Sequence, residues 1–379
     1  MGCWRTLPLR RSSKYEIIRP MDTCIIVGGG LTGLLAAREL ATSGVEVTVV
    51  ERGRVGRESS WAGGGILSPL YPWRYPEAVT ALAGWSQRHY AELAAAIQAE
   101  SGLDPEYIQS GLLILDLDDG AEALAWGRRH QLDVQAVDAA RALQLEPRLG
   151  AAADGVWLPQ IGQLRNPRLM QALGRACTAL GVTLMEASPV EEIRVEAGRI
   201  RGVRTAAQTL EADAVVVAGG AWSRQLLQGL GTDLPIEPVK GQMLLYRAEP
   251  GLLRRIVLRD GHYVIPRRDG HILAGSTLEQ VGFDKTPTAA ARDQLQAAAE
   301  AIIPALRDLP VMDHWAGLRP GSPHGIPFIG VHPEVAGLYV SAGHFRNGVA
   351  IGAASARLLA DLMLARRPIL DPAPYALSP

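Results

Sequence analysis

Cysteine is scarce in this chain: Cys3, Cys24 and Cys177 are the three among 379 residues, and no pair has C-x-x-C spacing. This excludes a disulfide framework and a cysteine-based zinc site, and it suits a reducing compartment, so the cytoplasm is the expected location. The eight histidines are scattered, and no metal site is expected. Net charge is also lacking. Lysine and arginine number 38 against 39 acidic residues, which removes the electrostatic case for nucleic acid or an anionic membrane as partner. Long uninterrupted apolar runs are missing too. The most apolar late stretch, Val349 to Ala365, carries Arg357 and Asp361 and reads as an amphipathic soluble helix, so no membrane span is expected. No repeat or low-complexity tract is present. Residues 1–20 are basic (Arg5, Arg10, Arg11, Lys14) and lack an apolar h-region, which fits neither a signal peptide nor a span. Their opening matches the short myristoylation pattern M-G-x-x-x-[ST]. Met21, just before the first strand, is a candidate original start, and 1–20 are expected to be a dispensable extension.

What is present begins at Cys24. An apolar run to Val27 ends in Gly28-Gly29-Gly30-Leu31-Thr32-Gly33, which satisfies G-x-G-x-x-G. An alanine- and leucine-rich helix follows, Gly44 stops it, and a β-branched run from Val45 to Val50 ends in Glu51. Each part has a mechanical reason. Gly28 permits the tight turn, Gly30 lets backbone approach a pyrophosphate, and Gly33 lets helix and strand pack closely. The helix N-terminus offers free N–H groups and a positive dipole end to phosphates. Glu51 stands where an acid accepts hydrogen bonds from the adenosine ribose. With strand, helix, second strand and acid all in register, the segment predicts a dinucleotide site.

The remaining pattern predicts an α/β chain, α+β overall, of about two domains. Arg52 to Leu67 is rich in Gly and Ser, and Gly63-Gly64-Gly65 bares the backbone for a flat ligand. Pro76 to Ser101 reads as a helix with Leu82, Trp85, Tyr90, Leu93 and Ile97 on one face. Gly111-Leu-Leu-Ile-Leu-Asp is a buried strand. Asn166-Pro167 reads as N-cap and first helical residue, with Gly181 as the stop. Val190–Val195 and Ile200–Thr205, joined through Ala197-Gly198, form an antiparallel ribbon leading to the buried strand Ala214-Val-Val-Val. Asp269-Gly270 marks a hairpin. Leu338–Ser341 is a last strand feeding His344–Gly348 and a closing helix. Nucleotide-type elements at the start, middle and end predict a Rossmann-type domain made of 21–80, 160–232 and 315–379. It is interleaved with a mainly antiparallel substrate domain of 81–159 and 233–314.

Five segments in order, VGGGLTG with Glu51, SSWAGGGILSP, DAVVVAGGAWS, HWAGLRPGSPHGIPFIG and GHFRNGVAIG, resemble the D-amino-acid oxidase and glycine/sarcosine oxidase group of flavoproteins. The likeness is strongest to the glycine oxidases of the thiazole branch of thiamine biosynthesis, and it runs from about Met21 to the closing helix. It implies FAD along the first motif: Leu31 and Thr32 at the pyrophosphate, and Glu51 and Arg52 at the adenosine. Ser59, Ser60, Gly64, Gly65 and Ile66 would line the ribityl chain and ring, and Val190 would touch adenine through its backbone. His344, Phe345, Arg346, Asn347, Gly348, Val349 and Ala350 would hold the flavin C2=O edge. There the closing helix's positive end favours the charge of a reduced flavin.

The resemblance also implies that Arg319 binds the substrate carboxylate, a role that suits a planar, always-charged guanidinium. Tyr263 and Arg346 are further pocket candidates. Leu278 stands where the compared glycine oxidases have a methionine over the substrate. No cysteine follows Cys177 and Ala62 follows Ser60-Trp61, so the attachment points of covalent relatives are missing and FAD is expected to be noncovalent. The expected reaction is oxidation of glycine, sarcosine or D-alanine by hydride transfer to FAD without a dedicated acid or base, giving an imine and then a keto acid and ammonia. Oxygen is the expected acceptor, with hand-over of the imine to a thiazole synthase and a homo-oligomeric state. Two readings stay open beside it: a D-amino-acid or sarcosine dehydrogenase feeding a quinone chain, and a subunit in which the flavin is structural.

Overall fold

A computed structural model describes residues 21–377; the basic segment 1–20, with its lipidation match, lies outside them. Two sheets organise the chain. The first has six strands in the spatial order Phe328–Val331, Leu338–Ala342, Ala214–Val217, Thr23–Val27, Glu46–Val50, Thr183–Met185. All pairings in it are parallel except that of Phe328–Val331 with its neighbour. Val27 lies between Val50 and Val217 in register, so three strands end at one edge. Ligands of open α/β sheets sit beyond that carboxyl edge, where connections diverge.

The second sheet has eight strands in the order Val311–Gly321, Glu237–Arg247, His271–Gly275, His262–Pro266, Ile256–Arg259, Leu112–Leu115, Gly155–Leu158, Gln135–Val137. It is antiparallel apart from the pairing of Ile256–Arg259 with Leu112–Leu115. The expected ribbon forms a third, three-stranded sheet, Val190–Glu196, Arg199–Thr205 and Thr209–Glu211. The Asp269-Gly270 hairpin forms as expected, with Gly270 at φ +87°.

The structure divides the two units differently from the sequence expectation at two points. The helix Glu77–Ser101 packs with the helices Leu31–Ala41, Asn166–Ala179 and Gly348–Met363, so it belongs to the first unit's core. The strand Val311–Gly321 pairs along Glu237–Arg247 and belongs to the second sheet. Strand pairing spreads over many backbone hydrogen bonds, so it outweighs the local composition that suggests the other boundaries.

The helix Gly348–Met363 also departs from expectation. It is buried almost all round rather than amphipathic. Gly352 and a run of alanines let the first helix approach: a Cβ on Gly352 would lie 3.3 Å from Leu35. On the other side Ser86 Oγ accepts the Ala354 N–H at 3.0 Å, and the Tyr90 hydroxyl donates to the Val349 carbonyl. Ile351, Leu358 and Leu359 are fully buried, each contributing roughly 1.5–3 kcal/mol of apolar burial. Asp361 also lies inside, where Arg357 Nε donates to it at 2.9 Å. Among the described residues no helix is long and apolar enough to cross a membrane.

Candidate active site

A cavity of about 710 Å³ opens along the carboxyl edge of the first sheet and reaches the second. Its dinucleotide end is built from backbone. Gly28 has φ +116°, and a Cβ there would lie 2.4 Å from the Ala218 carbonyl oxygen. A Cβ on Gly33 would lie 2.1 Å from the Gly28 carbonyl oxygen, so helix and strand meet as closely as the motif requires. Gly33 therefore packs the turn and does not line the cavity, whereas Gly28, Gly30, Leu31 and Thr32 do. The first helix has no side-chain cap and no acid in its first turn, so its orphan N–H groups remain donors for an anion. Ser60 Oγ accepts one of them, from Leu31, at 2.8 Å.

Glu51 is 9% exposed at the end of the second strand. One carboxylate oxygen accepts the Gly29 N–H and the other the Gly53 N–H, both at 2.8 Å. Each oxygen keeps a lone pair for a ribose hydroxyl. Arg52 lies over the Trp222 ring at 3.4 Å and pairs with Glu58 at 3.0 Å. Val190, half-buried at the start of the ribbon, lines the same end.

The middle of the cavity is walled by Ser59, Ser60, Gly64, Gly65 and Ile66. A Cβ on Gly65 (φ +77°) would lie 2.0 Å from the Leu164 carbonyl oxygen, and one on Gly64 would lie 2.9 Å from Ile265 Cδ1. Asn166 holds this wall by donating from Nδ2 to the Ser60 carbonyl at 2.7 Å. The N-cap of its helix is thus Arg165, not Asn166 as its position before proline suggests, because the Asn side chain is drawn into this tertiary bond. Gly181, at φ +86°, follows the helix end as expected.

At the far end, Arg319 comes from the Val311–Gly321 strand opposite Val239. Its guanidinium lies flat against Gly241 of the neighbouring strand, where a Cβ would come within 2.1 Å of Nη1. Nη1 donates to the Thr277 carbonyl at 3.0 Å, and Nη2 to Ser276 Oγ at 2.8 Å. Burial holds its pKa below the ordinary value; Tyr263 opposes this and Arg346 adds to it. Tyr263 is buried, with its hydroxyl donating to Met243 Sδ at 3.4 Å. Arg319, Arg346 and Tyr263 all line the cavity, and among the described residues neither arginine forms an ion pair. A cationic pocket end with its charge uncompensated is suited to a carboxylate.

His344, Phe345, Arg346, Asn347, Gly348 and Val349 form the wall beside it, at the N-terminus of the uncapped closing helix. Ala350 does not line the cavity; one step further round the helix, its methyl faces the core. Burial pushes the His344 pKa down to about 4, so its ring is neutral. His344 Nε2, Asn347 Nδ2 and Ser341 Oγ are buried without hydrogen-bond partners, and all three residues line this one wall. Such orphans mark an edge shaped for a polar ring. Leu278 lies elsewhere: its side chain is 55% exposed and does not line the cavity. Thr277 and Glu279 on either side face inward, Thr277 Oγ1 accepting the Gln242 N–H at 2.9 Å and Glu279 accepting from Gln242 Nε2 at 2.8 Å. Alternation along this extended segment then points Leu278 outward.

Gly241, Arg267 and Asn166 join the site without being expected there from sequence. An isolated glycine inside the strand run Pro238–Tyr246 is the available signal for Gly241. Arg267, beside an Asp-Gly turn, looks like a surface residue.

The fold and this cavity define an FAD-binding oxidoreductase. The chain belongs to the FAD dependent oxidoreductase family, whose sequence profile matches residues 23–362. It is 51% identical over 357 residues to a glycine oxidase of Pseudomonas aeruginosa, covering 94% of this chain and 98% of that protein. The crystal structure of glycine oxidase from Geobacillus kaustophilus superimposes with a TM-score of 0.89 at 32% identity, covering 94% of this chain and 98% of that one. A bifunctional protein ThiO/ThiG of Trichormus variabilis is 31% identical over 90% of this chain, which spans 53% of that longer protein. The cavity fits FAD on its own terms: bare helix N–H groups, a ribose-ready acid, a side-chain-free wall and a row of orphaned polar atoms follow one another along it.

Proposed function

We propose that this chain oxidises glycine, and with it sarcosine and D-alanine, to the imine and then to the keto acid, glyoxylate from glycine, and ammonia. The observation that carries the reading is the pair Arg319 and Arg346 at the cavity's far end, unneutralised by any carboxylate of the described residues. Bound FAD supplies the hydride acceptor. The chain's own part is orientation: Arg319 takes the carboxylate in a planar grip, and Tyr263 and Arg346 flank it. With the carboxylate and amine both fixed, a D-configured or unsubstituted α-carbon turns a hydrogen toward the ring, and an L-amino acid turns it away. A methyl more or less in such a pocket changes discrimination by only about 1–3 kcal/mol, which leaves room for sarcosine and D-alanine. The uncapped helix beginning at Gly348 directs a positive dipole end where negative charge collects.

In this reading oxygen takes the electrons and leaves as hydrogen peroxide, FAD is held without a covalent bond, and the enzyme is a cytoplasmic homo-oligomer. The existence of relatives joined to a second half supports hand-over of the imine to a thiazole synthase. The test is anaerobic mixing with glycine, sarcosine, D-alanine and L-alanine while following flavin bleaching, then oxygen uptake and glyoxylate release. Bleaching by L-alanine in preference to glycine would overturn the pose. Turnover with dyes but not oxygen would move the chain to a dehydrogenase coupled to quinones. Acid precipitation is expected to release a yellow supernatant; colour left on the pellet would refute noncovalent binding.

A further inference from the structure

Arg267 follows the strand His262–Pro266 and is 7% exposed. Its guanidinium reaches across to a distant part of the chain. Nη1 donates to Gln163 Oε1 at 2.6 Å and to the Leu164 carbonyl at 3.0 Å, and Nη2 donates to the Gly64 carbonyl at 2.8 Å. Leu164 in turn donates its N–H to the Gly65 carbonyl at 2.9 Å. One side chain therefore ties the glycine wall to the segment behind it from both sides. All three acceptors are neutral. The acids nearby are engaged elsewhere: Asp269 accepts from Arg165 at 2.8 Å, and Glu106 pairs with Arg168 at 3.1 Å. Burial lowers the Arg267 pKa to about 10, so the group is still a cation at neutral pH. Gly63, Gly64 and Gly65 line the cavity without side chains of their own, and the Gly64 carbonyl that accepts from Arg267 belongs to that wall.

We propose that Arg267 is a positioning residue for the cofactor, clamping the Gly63–Gly65 wall and setting a buried positive charge behind it that favours the electron-rich reduced flavin. The inference rests on the placement of the flavin along that wall. A full charge in a partly desolvated interior acts over several ångströms with little screening, whereas the same charge in water would be lost. A purely structural clamp would need the hydrogen bonds but would be indifferent to net charge, and this separates the two.

The test uses the flavin-loaded enzyme and sulfite, which adds to the oxidised flavin and leaves negative charge on it, so its affinity reads the local field without turnover. Gln163→Glu keeps the clamp's shape and sets a carboxylate against the guanidinium. Ser110 Oγ, which now accepts from Gln163 Nε2 at 2.8 Å, can turn its hydrogen onto the new acid. Sulfite Kd is expected to rise by about tenfold or more with FAD content unchanged. Arg267→Lys, which keeps the charge and loses the two-pronged hold, is expected to keep sulfite Kd within about threefold while binding FAD more weakly. Unchanged sulfite affinity in Gln163→Glu overturns the proposal. If that variant does not fold, Arg267→Gln decides the matter in the same way: sulfite binding equal to the parent's overturns it. A parent enzyme whose glycine wall gains no protection from protease when FAD binds would instead sink the placement beneath the inference.

Discussion

At the dinucleotide end of the cavity the wall is backbone; at the arginine end it is side chain. The glycine turn and acid of the first end come from one continuous segment, where Gly28, Gly33 and Glu51 follow in order with contacts that are local or one strand away, and Val190 joins them from the ribbon. The second is assembled from five separated stretches: Gly241, Tyr263, Ser276 with Thr277, Arg319, and Arg346. A backbone wall cannot be tuned by substitution without moving the chain, and it serves a cofactor that does not change. A side-chain wall can alter one residue at a time, as a substrate pocket must when the substrate class shifts.

The sharpest way to break this contrast is Arg319→Ala. Removing one partner of a desolvated charge pair costs about 3–5 kcal/mol. On that basis kcat/KM for glycine should fall by several hundredfold or more while FAD content stays intact. Near-normal turnover would remove Arg319 from the substrate, and loss of FAD would make it structural. Next comes Gly241→Ala. Its Cβ would meet the guanidinium within 2.1 Å, so the side chain must leave its bed. A misplacement of about 1 Å costs on the order of a hundredfold in rate. The expected pattern is lowered kcat/KM with FAD binding preserved, and an unaffected variant would show that the guanidinium does not need that strand.

At the other end, Glu51→Gln keeps the shape but turns an amide N–H toward a backbone N–H that now donates to it. One charged hydrogen bond is worth about 1.5–3 kcal/mol, so the FAD Kd should rise by roughly tenfold or more with kcat of the loaded enzyme unchanged. A fall in kcat at full FAD loading would mean that the two ends are not separable.

A separate effect, on stability rather than on binding or turnover, concerns His344. Its pKa in the folded chain is depressed to about 4 by burial, so the unfolded chain binds the proton first. The stability it adds is fully present above its unfolded pKa, near 6.5, and is lost as pH falls from there through about 4. The full loss is about 3 kcal/mol. Denaturant titrations at pH 7 and pH 4.5 should therefore differ less for His344→Gln than for the parent. Equal differences would show that the histidine charges without cost.

The first βαβ unit, Glu51, the ribbon, the Asp269-Gly270 hairpin and the closing helix's position were all legible in the sequence. Their signals are local: glycines where φ must be positive, β-branched runs where strands are buried, an acid at a strand end. What the sequence alone could not decide was where long-range bonds redirect a side chain. Asn166 has the residue type of a helix cap, but it holds the Ser60 carbonyl. Leu278 matches a pocket position by its place among the motifs, but alternation against the inward-facing Thr277 and Glu279 turns it to solvent. The helix Gly348–Met363 carries charges typical of a surface face, but Arg357 and Asp361 pair at 2.9 Å and let it run through the core. Arg267 has the composition of a turn and the burial of a core residue. Local conformation is written in neighbouring residues, because sterics and backbone hydrogen bonds act within a few positions. The direction a side chain takes is settled only when strands and helices far apart in sequence come within bonding distance and compete for its donors and acceptors.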